Sequence, residues 1–211
     1  MARVPSNSGR PNKPNPAVGK ISRASIQSEH PHASGLVPGS EILLEVAKRV
    51  TEVAKVPVVG GIAALLHGCG RTTRDIDVYT DDFWATHQKL ESAGFLWNSE
   101  RREHTAQGIP IYMVGADQLG GVPNKQSTIK GVRVISLADL VRAKLTSGLE
   151  SPRRAKDIAD VLELIRVVPL KKDFAAKLPT RLRGTFKRFV DEVHGPRRTT
   201  FPTLQLWTRT A

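Results

Sequence analysis

A short apolar run that stops at two adjacent glycines constrains this chain most strongly. Val56 to Val59 is followed directly by Gly60 and Gly61. A run of this kind predicts a buried strand that a turn brings to an end. The next segment, Ile62 to Leu66, is also apolar and is compatible with a short helix. The sequence thus predicts a strand, a bare glycine turn and a helix in immediate succession.

Two acidic residues follow at a spacing that brings them together. In an extended backbone, residues two apart point to the same face, so Asp75 and Asp77 share one face and Ile76 and Val78 the other. Carboxylates about 4 Å apart repel by roughly 4 kcal/mol at an effective dielectric of about 20. A cation, a shared proton or wide exposure must offset this repulsion. Because Mg²⁺ takes one or two protein carboxylates and completes its shell with water and phosphate, we expect a Mg²⁺ site here. Two solvated surface aspartates are the alternative.

The paired glycines add a second property to the segment. Without side chains, Gly60 and Gly61 let backbone N–H groups approach a phosphate at the start of a helix. Arg71 and Arg74 flank the acidic pair and either contact triphosphate oxygens or remain solvated. The segment therefore predicts a phosphate cradle beside a metal site.

The segment contains a pair of glycines, then a spacer, then an Asp-x-Asp sequence on a strand. This order resembles the signature of the nucleotidyltransferase superfamily, the DNA polymerase beta-like enzymes. The resemblance implies an enzyme that binds a nucleoside triphosphate with Mg²⁺ and moves the nucleoside monophosphate to an acceptor hydroxyl. It implies that Asp75 and Asp77 hold the metal and that Gly60 and Gly61 cradle the β and γ phosphates. The implied acceptor is RNA, a protein side chain or a small molecule.

A second group of charged residues lies further along the chain. Lys144 falls in one predicted helix, and Asp157 and Asp160 lie three apart, on one face of the next. A structural salt bridge is the alternative to a functional role for either aspartate. With Leu137–Leu140, this Lys-Leu and Lys-Asp-x-x-Asp pattern is similar to the abortive-infection toxin group of nucleotidyltransferases. That resemblance covers about residues 41–167 and implies that Lys144 neutralises phosphate charge and that Asp157 positions Lys144 or the acceptor.

The chain departs from the superfamily at one position. A third carboxylate is usual on a neighbouring strand, but Tyr112 occupies the corresponding place in the run Ile109–Val114. Glu103 and Asp117 are the possible substitutes. Phosphoryl transfer by two metal ions normally uses that third ligand. Two alternatives to an active enzyme therefore stay open: a module that binds nucleotide or nucleic acid without turnover, and a component of a toxin–antitoxin system.

Hydrophobic spacing predicts an α+β fold with a small mixed sheet flanked by helices and a helical C-terminal part. Ser40 is expected to cap the first helix, and Ser136 is expected to cap the helix from Leu137 to about Ser147. Thr80 or Asp81 is expected to cap the helix that follows the acidic strand. That helix is predicted to carry Phe83, Trp84, His87 and Leu90 on one side. Gly148 and Pro152 are expected to end that last helix. The remaining helices are predicted over 41–54, 62–66, 153–167 and about 173–193, the strands over 56–59, 75–79, 95–97, 109–114 and 132–135, and loops over 98–108 and 115–130.

The charge of the chain is concentrated at its two ends. The formal net charge is +12. Residues 1–40 form a predicted disordered basic arm, 41–135 the nucleotidyltransferase core, 136–194 the helical part and 195–211 a tail. Basic ends favour a polyanion such as RNA, or simply keep a protein soluble. Cys69 is the single cysteine, which excludes an intramolecular disulfide, and the sequence lacks an apolar run long enough to cross a membrane. We expect a cytoplasmic protein.

Overall fold

The computed structural model describes residues 40–70 and 72–195, which form seven strands and six α-helices. The strands are β1 (Val58–Val59), β2 (Ile76–Tyr79), β3 (Leu96–Asn98), β4 (Glu103–Ala106), β5 (Ile109–Val114), β6 (Gln126–Ile129) and β7 (Val132–Ile135). The helices are α1 (Ser40–Ala54), α2 (Gly60–Leu66), α3 (Phe83–Ser92), α4 (Leu137–Glu150), α5 (Ala155–Val167) and α6 (Thr180–His194). Two short 3-10 helices, Pro152–Arg154 and Lys172–Lys177, precede α5 and α6.

The strands form one mixed sheet in the order β3-β4-β5-β2-β1-β7-β6. The short strand β1 is antiparallel to β2 and parallel to β7, and β2 is parallel to β5. Ile76 and Val78 are fully buried, as the alternation of β2 predicts. The opposite face of β2 carries Asp77, whose register partners are Val59 in β1 and Tyr112 in β5. The expected α+β class, with a mixed sheet flanked by helices, is confirmed.

The helices pack on the sheet and on one another through apolar residues that recur at helical spacing, as predicted. Helix α1 packs on β7 and α3, and its Val46 and Val50 are buried. Helix α2 contacts β1 and β2, and α4 packs against α5, which in turn contacts α6. The boundary between Ile135 and Ser136 falls between β7 and α4, and the division into separate domains stays a prediction.

Two strands lie in segments where loops were predicted. Strand β4 lies within 98–108, and its two buried residues, Glu103 and His104, are polar, so no apolar alternation marks it. Strand β6 lies within 115–130 at the edge of the sheet and is mostly exposed, so it needs little apolar character. In both cases pairing with a neighbouring strand, rather than local hydrophobicity, determines the structure.

The prediction that Gly148 ends a helix is wrong, because α4 continues to Glu150. A Cβ atom at Gly148 would lie 2.6 Å from Ile158 Cδ1 and 3.1 Å from its backbone nitrogen. The glycine therefore permits close packing of α4 on α5. The single helix predicted over about 173–193 is in fact the 3-10 helix Lys172–Lys177 followed by α6, with Pro179 immediately before α6.

Several helix starts also differ from their predictions. Helix α2 begins at Gly60 rather than Ile62, and α1 includes Ser40. The α3 cap is Asp82, whose carboxylate accepts a hydrogen bond from the Ala85 backbone at 2.9 Å, rather than Thr80 or Asp81. The Ser136 cap of α4 is confirmed, since its side chain accepts a hydrogen bond from the Asp139 backbone.

The side of α3 that was expected to be apolar is only half covered. Leu90 and His87 are buried, but Phe83 and Trp84 are exposed. His87 and the buried His104 of β4 share a hydrogen bond of 3.1 Å, so His87 joins α3 to the sheet.

Three predictions fall on residues that the structure does not describe. These are the basic arm up to residue 39, the tail from residue 196 and the position of Arg71. Within the described residues, no helix has both the length and the apolar character needed to cross a membrane.

Candidate functional site

A pocket of about 780 Å³ lies beside the start of α2 and is bounded by β2, α4, α5 and the loop after β5. Every predicted site residue that the structure describes lines this pocket: Gly60, Gly61, Arg74, Asp75, Asp77, Lys144 and Asp157. Tertiary structure thus brings together two groups of residues that lie more than sixty positions apart in sequence.

The glycine turn and the acidic strand are in direct contact. Gly60 adopts a φ of +59°, and a Cβ atom there would lie 2.2 Å from Asp77 Oδ2. A larger residue would therefore strain the backbone and collide with the carboxylate. At Gly61 a Cβ atom would lie 2.5 Å from Thr73 Oγ1. The two glycines therefore allow the start of α2 to approach Asp77 and Thr73 closely.

The sequence predicts a strand that begins at Asp75. In the structure β2 begins at Ile76, so Asp75 lies one residue before the strand. Its Oδ1 accepts a hydrogen bond of 2.6 Å from Thr73 Oγ1, which fixes the carboxylate at the pocket wall. Thr73 was not identified from the sequence, because a threonine in a loop carries no distinguishing pattern.

Asp77 is held in an unfavourable environment for a charge. Burial, with a smaller contribution from the nearby Asp75 carboxylate, raises its pKa to about 6, although Lys144, Arg154 and Lys156 act in the opposite direction. A raised pKa is the expected result of burying a carboxylate beside a second one. The pair is thus arranged to gain from positive charge.

Lys144 is buried between two aspartates. Its Nζ lies 2.8 Å from Asp157 Oδ1 and 2.7 Å from Asp160 Oδ2. Asp157 also accepts hydrogen bonds from Ser147 Oγ at 2.9 Å and from Arg154 Nε at 2.8 Å. Burial alone would raise the pKa of Asp157, but the hydrogen bonds and charges of these donors outweigh it, so the pKa lies below its usual value.

The sequence left two interpretations of these charged residues, a functional role and a structural salt bridge, and the contacts bear on both. Asp160 makes the buried salt bridge that was weighed as its structural alternative. Lys144 and Asp157 make the same kind of contact but also line the pocket. Asp160 therefore helps to hold the Lys144 ammonium group at the pocket wall.

Tyr112 occupies the position where a third carboxylate was expected. It pairs with Asp77 across β2 and β5, and its hydroxyl donates a 2.6 Å hydrogen bond to Glu103 Oε2. That bond, with burial and the charge of Glu103, raises the pKa of Tyr112 to about 12. Glu103 is buried on β4, outside the pocket lining. Since strands lie about 4.8 Å apart, two strand spacings separate Glu103 from Asp77.

Asp117, the other possible substitute, lines the pocket from the exposed loop that follows β5. Even so, the described residues contain no group of three acidic, histidine or cysteine side chains close enough to hold a metal ion. The donor set that fits Mg²⁺ is the Asp75 and Asp77 pair, with water and phosphate supplying the remaining ligands.

Positive charge reaches the pocket from several elements. Arg74 precedes β2, Arg154 precedes α5, and Lys156 lies in its first turn; all three line the pocket. Arg154 is about half exposed while its Nε holds Asp157. Neither Arg154 nor Lys156 was predicted as a site residue from the sequence, and the packing of α4 against α5 brings both to the pocket.

No protein-family model matches the chain, and no curated protein matches it. One similar solved structure is an antigenic nucleotidyltransferase-like protein from Paracoccidioides brasiliensis, with 19% identity, a TM-score of 0.40, and coverage of 59% of this chain and 74% of that chain. Another is a protein from H. pylori provisionally described as a nucleotidyltransferase, with 13% identity, a TM-score of 0.47, and coverage of 76% and 81%. Similarities of this extent do not assign a family, and the abortive-infection toxin group finds no support among them.

Proposed function

We propose that this protein is a Mg²⁺-dependent nucleotidyltransferase that moves a nucleoside monophosphate from a nucleoside triphosphate to an acceptor hydroxyl and releases pyrophosphate. One observation carries the proposal: the Asp77 carboxylate lies against Gly60, in a pocket that Lys144 also lines. Metal ligands, a bare helix start and a buried cation are the three parts that binding a metal-bound triphosphate requires.

Each residue has a role that follows from its place. Asp75 and Asp77 would hold Mg²⁺, which when bound neutralises phosphate charge and orients the triphosphate. Gly60 and Gly61 expose backbone N–H groups to the β and γ phosphates, and Arg74 adds a cation at the pocket wall.

The second group of residues acts on the same substrate. Lys144 presents its ammonium group to the phosphates from a fixed position. Asp157 orients that ammonium group through the 2.8 Å contact. The acceptor is RNA, a protein side chain or a small molecule.

The test is transfer of radiolabel from each nucleoside triphosphate, labelled at the α-phosphate, to RNA, protein and small-molecule fractions. The double variant Asp75→Ala, Asp77→Ala should lose transfer. A matched control, Asp81→Ala, removes an exposed carboxylate two residues after β2 and should retain it. Equal labelling by wild type and the double variant would reject the assignment.

A second function is supported by Tyr112. Because Tyr112 fills the expected third-ligand position and its partner Glu103 lies outside the pocket lining, the site is also suited to bind Mg²⁺-nucleotide without turnover. Calorimetry with each Mg²⁺-nucleoside triphosphate, together with a pyrophosphate assay, separates the two functions. Heat of binding without pyrophosphate release would favour the binding module. A role in a toxin–antitoxin system and a cytoplasmic location stay predictions.

A further inference from the structure

The outward face of α6 is an exposed basic surface outside the pocket lining. Arg181, Arg183, Lys187 and Arg188 are all exposed, while Leu182, Phe186 and Val190 of the same helix are buried. These four cations, with Gly184 between them, are called the α6 basic face below. No acidic residue occurs in the helix before Asp191.

The positive charge of this face is not neutralised by the protein. None of the four cations forms a salt bridge with a carboxylate among the described residues, whereas Lys172, Arg154 and Arg166 elsewhere on the surface do. The contacts of the face are to neutral oxygens: Arg181 donates to Thr146 Oγ1 at 3.2 Å, and Arg183 to the Leu178 carbonyl at 2.8 Å. The four cations are therefore available to an anion in solution.

Gly184 lies at the centre of the face. It is three residues after Arg181, three before Lys187 and four before Arg188, so all three are its neighbours on the helix surface. A Cβ atom at Gly184 would meet nothing within 4 Å, and its φ is not positive, so neither packing nor backbone geometry requires glycine. Glycine destabilises a helix interior relative to alanine. Its use here leaves the helix backbone uncovered between cations, which permits close approach of a ligand.

The face also lies near the proposed active site. Thr146, which Arg181 contacts, belongs to α4, and the next residue, Ser147, lines the pocket. A Cβ atom at Gly120, in the loop that bounds the pocket, would lie 2.7 Å from Thr146 Oγ1. The Arg181 end of the α6 basic face therefore lies against α4, the helix that forms one wall of the pocket.

We propose that the α6 basic face binds the phosphate backbone of a single-stranded nucleic acid. At about 1.5 Å rise per residue, Arg181 and Arg188 are roughly 10 Å apart along the helix axis. A strand that lies along the helix can therefore contact these two cations with different phosphates. The further step, that this strand presents the acceptor hydroxyl, rests on the proposed function, whereas the binding surface itself does not.

The test measures fluorescence anisotropy of labelled RNA and DNA oligonucleotides with the full chain, at several salt concentrations, with EDTA and without nucleotide. Lys187→Gln and Arg188→Gln should each weaken binding and reduce the slope of log K against log salt by about 0.7, the value for one phosphate contact of a single strand. The control Lys89→Gln removes one exposed cation from α3 and should leave the slope unchanged. Gly184→Ala should weaken binding several-fold with an unchanged slope, because no charge is lost.

Three results would overturn the proposal. One is an equal slope for the α6 variants and the Lys89 control. Another is wild-type affinity in Gly184→Ala. The last is binding to phosphatidylserine vesicles that the oligonucleotides do not displace. Tighter binding of either RNA or DNA identifies the natural strand. Since the assay contains no nucleotide or Mg²⁺, its failure would leave the transferase proposal standing, and loss of transfer in the Asp75, Asp77 double variant would leave this surface standing.

Discussion

Replacing Asp77 with asparagine should stabilise the metal-free protein. Folding raises the pKa of this carboxyl from 3.8 to about 6. At 1.36 kcal/mol per pKa unit, this shift corresponds to a destabilisation of about 3 kcal/mol when the group is ionised. Asparagine keeps the shape of the side chain and removes the charge. The variant should therefore gain up to about 3 kcal/mol in free energy of unfolding at neutral pH.

The pH dependence distinguishes this cause from a packing effect. The folded state holds the proton more tightly than the unfolded chain, so wild-type stability falls as pH rises from about 4 to about 6. The gap between variant and wild type should be small below pH 4 and fully present above pH 6.5. Urea unfolding in EDTA at a series of pH values measures it. The control Asp81→Asn changes an exposed carboxylate and should stay within about 0.5 kcal/mol of wild type.

Mg²⁺ should close most of this gap in stability. Wild type should gain about 2.7 kcal/mol at a Mg²⁺ concentration one hundred times its Kd, whereas Asp77→Asn should gain little. An asparagine variant that is no more stable than wild type at pH 8 in EDTA, or a gap that does not change with pH, would refute the electrostatic explanation.

Three further substitutions test other contacts of the site. Gly60→Ala should lose about 1–2 kcal/mol of stability from its positive φ and weaken Mg²⁺-nucleotide binding, measured by urea unfolding and calorimetry, whereas Gly70→Ala, which meets no atom within 4 Å, should do neither. Lys144→Met removes the cation that two buried carboxylates share and should cost about 3–5 kcal/mol in urea unfolding; a loss below 1 kcal/mol would contradict the buried contacts. Tyr112→Phe removes the hydrogen bond to buried Glu103 and should cost about 1–3 kcal/mol in the same assay, with nucleotide affinity unchanged; reduced affinity would show that Tyr112 acts on the site.

The part of the site formed by the paired glycines and the two aspartates was largely predictable from the sequence. Alternation in Asp75–Tyr79 buries Ile76 and Val78 and leaves the acidic side chains on the other face. The paired glycines precede the acidic segment closely enough that a short helix suffices to return the chain to it. Local pattern determines these features because strand period and glycine freedom are properties of the backbone itself.

The part of the site formed by Lys144 and Asp157 depends on how α4 and α5 pack together. Gly148, which local propensity marks as the end of a helix, is instead a point of close contact between α4 and α5, and the same helix pair holds the contact of Lys144 with Asp157. No pattern within either helix states which faces meet. Lys144 could therefore be placed in the site from the sequence only by resemblance.

The role of Glu103 was decided by tertiary structure alone. Its strand has no apolar alternation, and its carboxylate is buried because the Tyr112 hydroxyl on the next strand satisfies it. The sequence by itself determined the acidic pair and the open turn beside it, since both follow from residues close together in the chain. Only the tertiary structure decided which distant charges reach that pair and which are paired elsewhere, because the stability of a buried charge depends on the partners that folding brings to it.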